Sequence, residues 1–239
     1  MAGYGKRCLE LGDFKPFIKI NDKTIFEYCI SNLDIQKNDK LVLVTSVESS
    51  PKDCEDTFNK ICKHDFIHIS LSEVKKGPAL TVYSVLSDIK TFVKNYQDYQ
   101  VHVVNTDQII KYENINFKGE GCAMPIYFNN HGSSCYVNLD RKFTRISEIK
   151  EKKLISGYAS SGVYIFSSID YLNKCIEWGI KNREDLSEVS FGYTEPELFL
   201  GPCMNYAIGC VDPVYALTTY CKIDLGSTRA IKENKNNLL

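Results

Sequence analysis

The first hundred residues alternate between apolar runs and segments with helical spacing. Ser50-Pro51 predicts a helix start, with the helix running to about residue 64, and Gly77-Pro78 predicts a second helix whose apolar positions keep helical spacing to residue 93. Short apolar runs typical of parallel strands that are buried on both faces occur at residues 41–45, 66–71 and 101–104. This order predicts right-handed βαβ crossovers and an open parallel sheet.

The pattern changes after residue 111. Strands joined by polar turns are predicted at 123–128, 134–139, 143–149 and 161–166. A helix over about 167–181, strands at 206–211 and 214–221, and a terminal helix at 227–236 follow. We therefore expect a mixed or antiparallel extension of the same sheet, and one continuous α/β unit.

Composition narrows the class of protein. A chain of 239 residues that is 44% hydrophobic can bury a substantial core. Its 29 basic and 30 acidic residues give a net charge of −1, so we expect neither nucleic acid nor an anionic membrane as a partner. The chain contains no apolar run of the roughly 18 to 20 residues that a membrane span needs.

Ten cysteines are scattered along the chain without a CxxC pair. In a chain of this length without a secretory hydrophobic segment, this usage predicts reduced, mostly buried thiols in a cytoplasmic protein. His64 and His68 lie in a segment whose alternation predicts a strand, so we do not expect a zinc site there.

The N-terminal segment offers candidates for phosphate binding. Gly3 and Gly5 suit a turn that brings backbone N–H groups close to a phosphate, with Arg7 supplying a cation; a plain loop is the alternative. Lys15, which precedes Pro16, is either a phosphate-binding lysine or a solvated one. A dinucleotide-binding motif is excluded because its third glycine falls at Cys8.

Two aspartates are candidates for a metal site. Asp107 follows the strand at 101–104, at the end of a strand where open α/β sheets bind ligands, although a turn aspartate is the alternative. Asp224 lies beside a glycine turn. If the two converge, they form an oxygen site suited to Mg²⁺. Gly77 and Ala79 either bring backbone to a nucleotide base or simply start a helix.

Several of these segments, in this order, resemble motifs of the sugar-phosphate nucleotidyltransferases. The similar segments are GYGKR near the start, FKPFIKINDKTIFEY, GPA at 77–79, NTDQ at 105–108, Glu151-Lys152 followed by ISGYASSGVYIF, and DLGST at 224–228. Together they cover nearly the whole chain.

The resemblance implies an α/β fold: a single Rossmann-like three-layer αβα domain over residues 1–239, with a mixed, mainly parallel sheet. It further implies a nucleotide-binding half, 1–111, and a sugar-phosphate-binding half, 112–239. The implied roles are catalysis by Arg7 and Lys15, nucleotide contacts by Gly3, Gly5, Gly77 and Ala79, sugar-phosphate contacts by Glu151, Lys152 and Gly162, and Mg²⁺ ligation by Asp107 and Asp224.

The implied reaction joins an NTP to a sugar 1-phosphate, giving an NDP-sugar for surface polysaccharide and pyrophosphate. One alternative is CMP transfer to a phosphorylated amino-alcohol. The cationic group of such an acceptor would require a binding site of acidic or aromatic side chains. The aromatic candidates for such a site, for which core packing is the alternative role, are Tyr158, Tyr164, Phe166 and Trp178. The base, the acceptor and a homo-oligomeric state are left open.

Two further hypotheses about the function remain. A non-catalytic nucleotide-binding relative is favoured by Lys6 and Phe14, which depart from the family pattern. A glycosyltransferase would require a D-x-D sequence after residue 104, and none is present.

The family pattern also places an apolar strand before the glycine loop, where this sequence has only Met1 and Ala2. We therefore expect the true start to lie upstream. We also expect a gap in the sheet, or a substitute segment, beside residues 41–45 and 101–104.

Overall fold

A computed structural model describes residues 1, 3, 5–12, 14–130, 133–189 and 195–238, apart from the side chains of residues 6 and 9. The chain forms two compact units. The first unit comprises Met1–Lys75, Asn105–Lys111 and Cys221–Leu239, and the second comprises Lys76–Val104 and Tyr112–Tyr220. Both units are therefore discontinuous in sequence. One boundary between them falls between Lys111 and Tyr112, where the expected halves divide, but Lys76–Val104 belongs to the second unit and Cys221–Leu239 to the first.

The α-helices are α1 (Ile25–Ile30), α2 (Cys54–Ile61), α3 (Pro78–Tyr83), α4 (Leu86–Phe92), α5 (Ile169–Lys181), α6 (Arg183–Leu186), α7 (Leu200–Cys203), α8 (Asn205–Gly209) and α9 (Thr228–Asn234). Short 3₁₀ helices cover Lys6–Leu11, Lys15–Phe17, Tyr96–Asp98 and Lys235–Asn237. The strands are β1 (Lys19–Ile20), β2 (Lys23–Thr24), β3 (Leu41–Ser46), β4 (Phe66–Leu71), β5 (Val101–Val104), β6 (Gln108–Tyr112), β7 (Cys122–Phe128), β8 (Cys135–Leu139), β9 (Ile146–Glu151), β10 (Tyr158–Ser160), β11 (Val163–Phe166), β12 (Glu188–Val189), β13 (Pro196–Glu197) and β14 (Val214–Asp224).

Most predicted elements are confirmed, with boundary corrections. The three apolar runs form β3, β4 and β5, and the helix expected near residue 167 is α5. Helix α2 begins at Cys54 rather than at Pro51, because residues 51–53 form a turn in which the Cys54 N–H donates to the Pro51 carbonyl. The single helix expected over 77–93 is divided into α3 and α4.

The strand predicted at 206–211 is wrong, since these residues lie largely in helix α8. Cys203 and Ala207 are both fully buried in the core of the second unit. Their spacing of four residues places them on one face of helical structure, and this burial outweighs the local strand pattern.

The larger sheet runs in the order β5-β11-β7-β10-β8-β9, and β14 pairs with both β6 and β7. Strand β10 pairs antiparallel with β7 and with β8, and β8 pairs antiparallel with β9. Strand β11 pairs antiparallel with β5 and with β7, whereas β14 pairs parallel with β7. The expectation of a mainly parallel sheet is therefore wrong here. The turn at residues 140–145, for example, joins β8 directly to its antiparallel neighbour β9, and so short a connection cannot join parallel neighbours.

Strands β3 and β4 form a separate two-stranded parallel sheet, with helix α2 between them in the chain. Within the described ranges, β3 pairs with β4 alone and β5 with β11 alone. Each is therefore an edge strand there, as expected from the sequence for residues 41–45 and 101–104.

Each unit buries its own apolar side chains. In the first unit, one cluster contains Phe14, Phe26 and Phe58, and another contains Cys8, Ile18, Ile25 and Leu225. In the second unit, α5, α7 and α8 pack on the sheet around Tyr171 and Met124. Most cysteines are buried, as predicted. Among the described helices, none has the length and apolar character that crossing a bilayer would need.

Candidate functional site

Two aspartates from distant parts of the sequence converge in the first unit. Asp107 precedes β6 and Asp224 ends β14. A Cβ placed on Gly226 would lie 2.8 Å from Asp224 Oδ1 and 3.2 Å from Asp107 Oδ2. The backbone holds this arrangement, since the Leu225 N–H donates to the Asp107 carbonyl at 2.8 Å and the Gly226 N–H donates to Asp224 Oδ1 at 2.8 Å.

Lys15 contacts both Asp107 and Gly226. Its Nζ lies 2.7 Å from Asp107 Oδ2 and donates a second hydrogen bond, 3.0 Å long, to the Gly226 carbonyl. The side chains of Lys15 and Asp107 are only 15% and 26% exposed. Phe14 and Phe17, on either side of Lys15 and Pro16, pack edge to face at 5.0 Å, and Phe14 is buried in the Phe26–Phe58 cluster. This packing anchors the lysine.

The glycine loop lies against Lys15. Gly5 has a φ of +59°, a left-handed conformation that favours glycine, and a Cβ placed on it would lie 3.1 Å from Lys15 Cβ. The Gly5 carbonyl accepts from the Cys8 N–H, and the Arg7 carbonyl accepts from the Thr228 hydroxyl. The arrangement therefore brings Gly5, Arg7 and Lys15 to the two aspartates. Gly3 is exposed, and no atom of the described residues lies within 4 Å of a Cβ placed on it.

These cations determine the ionisation of Asp107. Burial alone would raise the pKa of this carboxyl, but the charge and hydrogen bond of Lys15, with the charges of Arg7 and Lys222, hold the pKa below its usual value. Asp107 is thus an anion that can ligate a cation near neutral pH.

Glu151 and Lys152 lie at the end of β9 in the second unit. Glu151 is 7% exposed, and within the described part of the chain its Oε2 has no hydrogen-bond partner. Burial raises its pKa to about 7, although the charge of Lys152 and a hydrogen bond with Cys135 act in the opposite direction. Lys152 has a φ of +53°, which is uncommon for a residue with a side chain. Its Nζ lies 4.7 Å from the centre of the Phe199 ring and 3.3 Å from the Val189 carbonyl.

Gly77 and Ala79 also lie in the second unit, and they pack against the segment next to Phe199. Gly77 has a φ of +107°, and a Cβ placed on it would lie 2.5 Å from the Leu198 carbonyl oxygen. The Ala79 N–H donates to that same oxygen at 3.1 Å, and the Ala79 side chain is fully buried. Both predicted base-contacting residues therefore make internal contacts, and their nucleotide role stays a prediction.

Gly162 has a φ of +87° in the turn between β10 and β11, where its N–H donates to the Ser160 hydroxyl. Of the four aromatic residues considered for a cation cage, Tyr164 and Phe166 are buried in the core and Tyr158 packs against it. Core packing, the alternative role, accounts for these three.

Sequence reasoning missed three contributors. Gly226 leaves room beside both carboxylates, and the DLGST segment containing it was the available signal. Lys222 lies two residues before Asp224 on β14, and strand alternation, which places both on one face, could have revealed it. Phe199, beneath the Lys152 ammonium, has no distinguishing sequence signal.

Comparisons with protein-family models and with curated protein sequences give no match. Solved structures do match. The nucleoside-diphosphate-sugar pyrophosphorylase from Vibrio cholerae RC9 is similar, with a TM-score of 0.75, 19% identity and coverage of 99% of this chain and 98% of that one.

Two further similar structures have TM-scores of 0.69. The inositol-1-phosphate CTP transferase from T. maritima is 16% identical over 99% of this chain and 93% of its own. The CTP:phosphocholine cytidylyltransferase from Streptococcus pneumoniae is 13% identical over 100% and 96%. At these identities the comparisons establish the fold, and this chain has the fold of those enzymes.

Proposed function

We propose that the chain is a Mg²⁺-dependent nucleotidyltransferase that joins an NTP to a sugar 1-phosphate, releasing pyrophosphate. The observation that carries the proposal is the convergence of Lys15, Asp107 and Asp224 at Gly226. The fold shared with a nucleoside-diphosphate-sugar pyrophosphorylase supports it. We further propose that the reaction is cytoplasmic and supplies surface polysaccharide synthesis.

To catalyse this reaction, the protein must position the two substrates and neutralise the charge of their phosphates. A phosphate oxygen of the acceptor attacks the α-phosphorus of the NTP, and the bond from that phosphorus to the pyrophosphate oxygen breaks. Arg7 and Lys15 supply cations for the triphosphate, and Gly5 gives the loop a left-handed turn beside Lys15. Holding these groups in place contributes to the rate because the ordering is completed before reaction.

The donor set at Gly226 fits Mg²⁺. Asp107 and Asp224 provide the carboxylate oxygens that this ion prefers, and the missing side chain of Gly226 leaves room beside both. No cluster of three or more metal-binding side chains occurs in the described part of the chain, so the remaining ligands would be phosphate oxygens and water. Such an ion would supply positive charge toward the triphosphate.

In the second unit, we assign the acceptor to Glu151, Lys152 and Gly162. Lys152 would hold the acceptor phosphate. Its backbone has a positive φ, a strained conformation that the surrounding structure must maintain, and such strain is concentrated at functional sites. Oε2 of Glu151, which has no partner among the described residues, would accept a hydrogen bond from an acceptor hydroxyl. Gly162 would line the acceptor pocket.

A second candidate is cytidylyl transfer to a different phosphorylated alcohol. Two of the similar structures carry names that specify CTP, one with inositol 1-phosphate and the other with phosphocholine. The carboxylates and cations of the first unit would serve this reaction equally.

The test is pyrophosphate release with Mg²⁺. ATP, CTP, GTP, UTP and dTTP would each be combined with glucose 1-phosphate, inositol 1-phosphate and phosphocholine. Release that requires a sugar 1-phosphate supports the proposal, whereas release that requires one of the other two acceptors supports the second candidate.

The control variants are Lys15→Ala and Asp107→Asn, with the exposed Lys19→Ala as the matched control. Removing either site charge should slow the reaction by a factor of about 10² to 10³, by analogy with the loss of one oxyanion donor. Nucleotide binding without release for any acceptor would contradict both transferase proposals and favour a non-catalytic relative.

A further inference from the structure

The ammonium of Lys15 already has two partners within the first unit. It donates to Asp107 Oδ2 at 2.7 Å and to the Gly226 carbonyl at 3.0 Å. An ammonium has three N–H donors, so its two partners among the described residues leave one N–H for another acceptor. Because Lys15 and Asp107 are both largely shielded from water, their attraction is screened less than that of a surface pair.

Both partners of this ion pair have another role in the proposed function, on which this inference rests. Lys15 would bind a phosphate, and the carboxylate of Asp107 would ligate a divalent cation. A cation at Asp107 must compete with the Lys15 ammonium for Oδ2, and a triphosphate at Lys15 must compete with Asp107.

We infer that Lys15 couples divalent-cation binding to triphosphate binding. In the free protein, Lys15 and Asp107 neutralise each other. A divalent cation held by Asp107 and Asp224 releases Lys15 toward the triphosphate, and a triphosphate held by Lys15 releases Asp107 toward the cation. Thermodynamic linkage makes the two effects equal, and coupling between sites is commonly about 5- to 150-fold.

The first test measures Mn²⁺ binding without nucleotide, from the electron paramagnetic resonance signal of the free ion. Lys15→Met removes the competing ammonium and should bind Mn²⁺ about 5- to 150-fold more tightly than the original protein. Arg7→Met also removes a cation that acts on Asp107, but no hydrogen bond to Oδ2, so its gain should be smaller. Lys19→Met is the control for a distant lysine.

A Lys15→Met protein that is folded and binds Mn²⁺ no more tightly than Arg7→Met would overturn the inference. Thermal unfolding checks that the variant is folded. If Lys15→Met unfolds because Asp107 is left without its partner, Lys15→Gln, which keeps a hydrogen-bond donor, replaces it in the comparison.

The second test measures binding of inorganic tripolyphosphate in EDTA by calorimetry. Asp107→Asn should bind it more tightly than Asp224→Asn, because both changes remove one negative charge but only the first frees Lys15. The extra affinity of Asp107→Asn over Asp224→Asn should disappear in the double variant Lys15→Met/Asp107→Asn. Equal gains in the two single variants would show that net charge alone matters and would overturn the coupling.

Neither test requires the correct base, the acceptor or turnover. Their failure is therefore distinguishable from failure of the proposed transferase, which depends on pyrophosphate release.

Discussion

Asp107 and Glu151 are both carboxyl groups shielded from water, yet their surroundings push their pKa values in opposite directions. Burial opposes the ionisation of each, but Asp107 has the ammonium of Lys15 at 2.7 Å and the charges of Arg7 and Lys222, which lower its pKa. Glu151 has weaker compensation, so burial prevails and raises its pKa to about 7. Asp107 is therefore suited to hold a cation, and Glu151 changes charge near neutral pH.

The raised pKa of Glu151 predicts a pH-dependent loss of stability. The folded carboxyl keeps its proton up to about pH 7, whereas the unfolded one loses it near pH 4.5. Between these values the folded state binds more protons, so the free energy of unfolding falls as pH rises. The glutamine variant Glu151→Gln removes this titration and should gain about 2 to 3 kcal/mol relative to the original protein between pH 4.5 and 8.

Urea unfolding at both pH values measures this difference. Glu148→Gln, on the same strand but 45% exposed, is the matched control for removing a carboxylate from β9. A Glu151→Gln difference that does not change with pH would contradict the prediction.

At the scale of elements, the start of helix α3 depends on close backbone contact. Gly77 precedes the helix with its φ of +107°, and the Leu198 backbone lies where a side chain would begin. The Leu198 N–H donates to the Lys76 carbonyl, and the Ala79 N–H donates to the Leu198 carbonyl. Only glycine allows the chain to form this junction without displacing residues 197 and 198.

Gly77→Ala should therefore destabilise the protein by about 2 to 4 kcal/mol, through backbone strain and the clash with Leu198. Gly119→Ala is the control, because nothing lies within 4 Å of a Cβ placed there, and it should change stability by less than about 0.5 kcal/mol. Denaturant unfolding of both variants measures the difference; equal stabilities would show that the junction adjusts at little cost.

The success of sequence reasoning varied with the range of the interactions. Strands β4 and β5 were predicted to the residue because their apolar runs are bounded by polar segments. Helix α1 was missed, although Thr24 and Glu27 form a capping box that the sequence pattern T-x-x-E contains. Helix α8 was mistaken for a strand because the burial of Ala207 depends on tertiary packing.

The candidate site shows the same limit at the scale of the whole molecule. Asp107 could be singled out because it follows an apolar strand, but its convergence with Asp224 depends on the backbone contact between Asp107 and Leu225. A pairing over such a sequence separation has no local signal. The resemblance to a family identified both aspartates, but not that Lys15 pairs with Asp107 in the free protein.

Lys15 and Lys152 lie in different compact units, and the proposed reaction assigns them to different substrates. Lys152→Ala should therefore raise KM for the phosphorylated acceptor about 10- to 150-fold, the value of a charge-assisted hydrogen bond, while KM for the NTP changes less than about twofold. Lys15→Ala should instead lower kcat/KM for the NTP. Lys142→Ala, in the exposed turn between β8 and β9, is the matched control.

Steady-state kinetics with each substrate varied in turn distinguishes these effects, using the acceptor that supports pyrophosphate release. An increase in KM for the NTP in Lys152→Ala would contradict the assignment, because a lysine that binds only the acceptor cannot weaken ground-state binding of the nucleotide by itself. A selective increase in KM for the acceptor would support an acceptor site built around a strained lysine in the second unit. The carboxylates and Lys15 of the first unit would then serve the triphosphate.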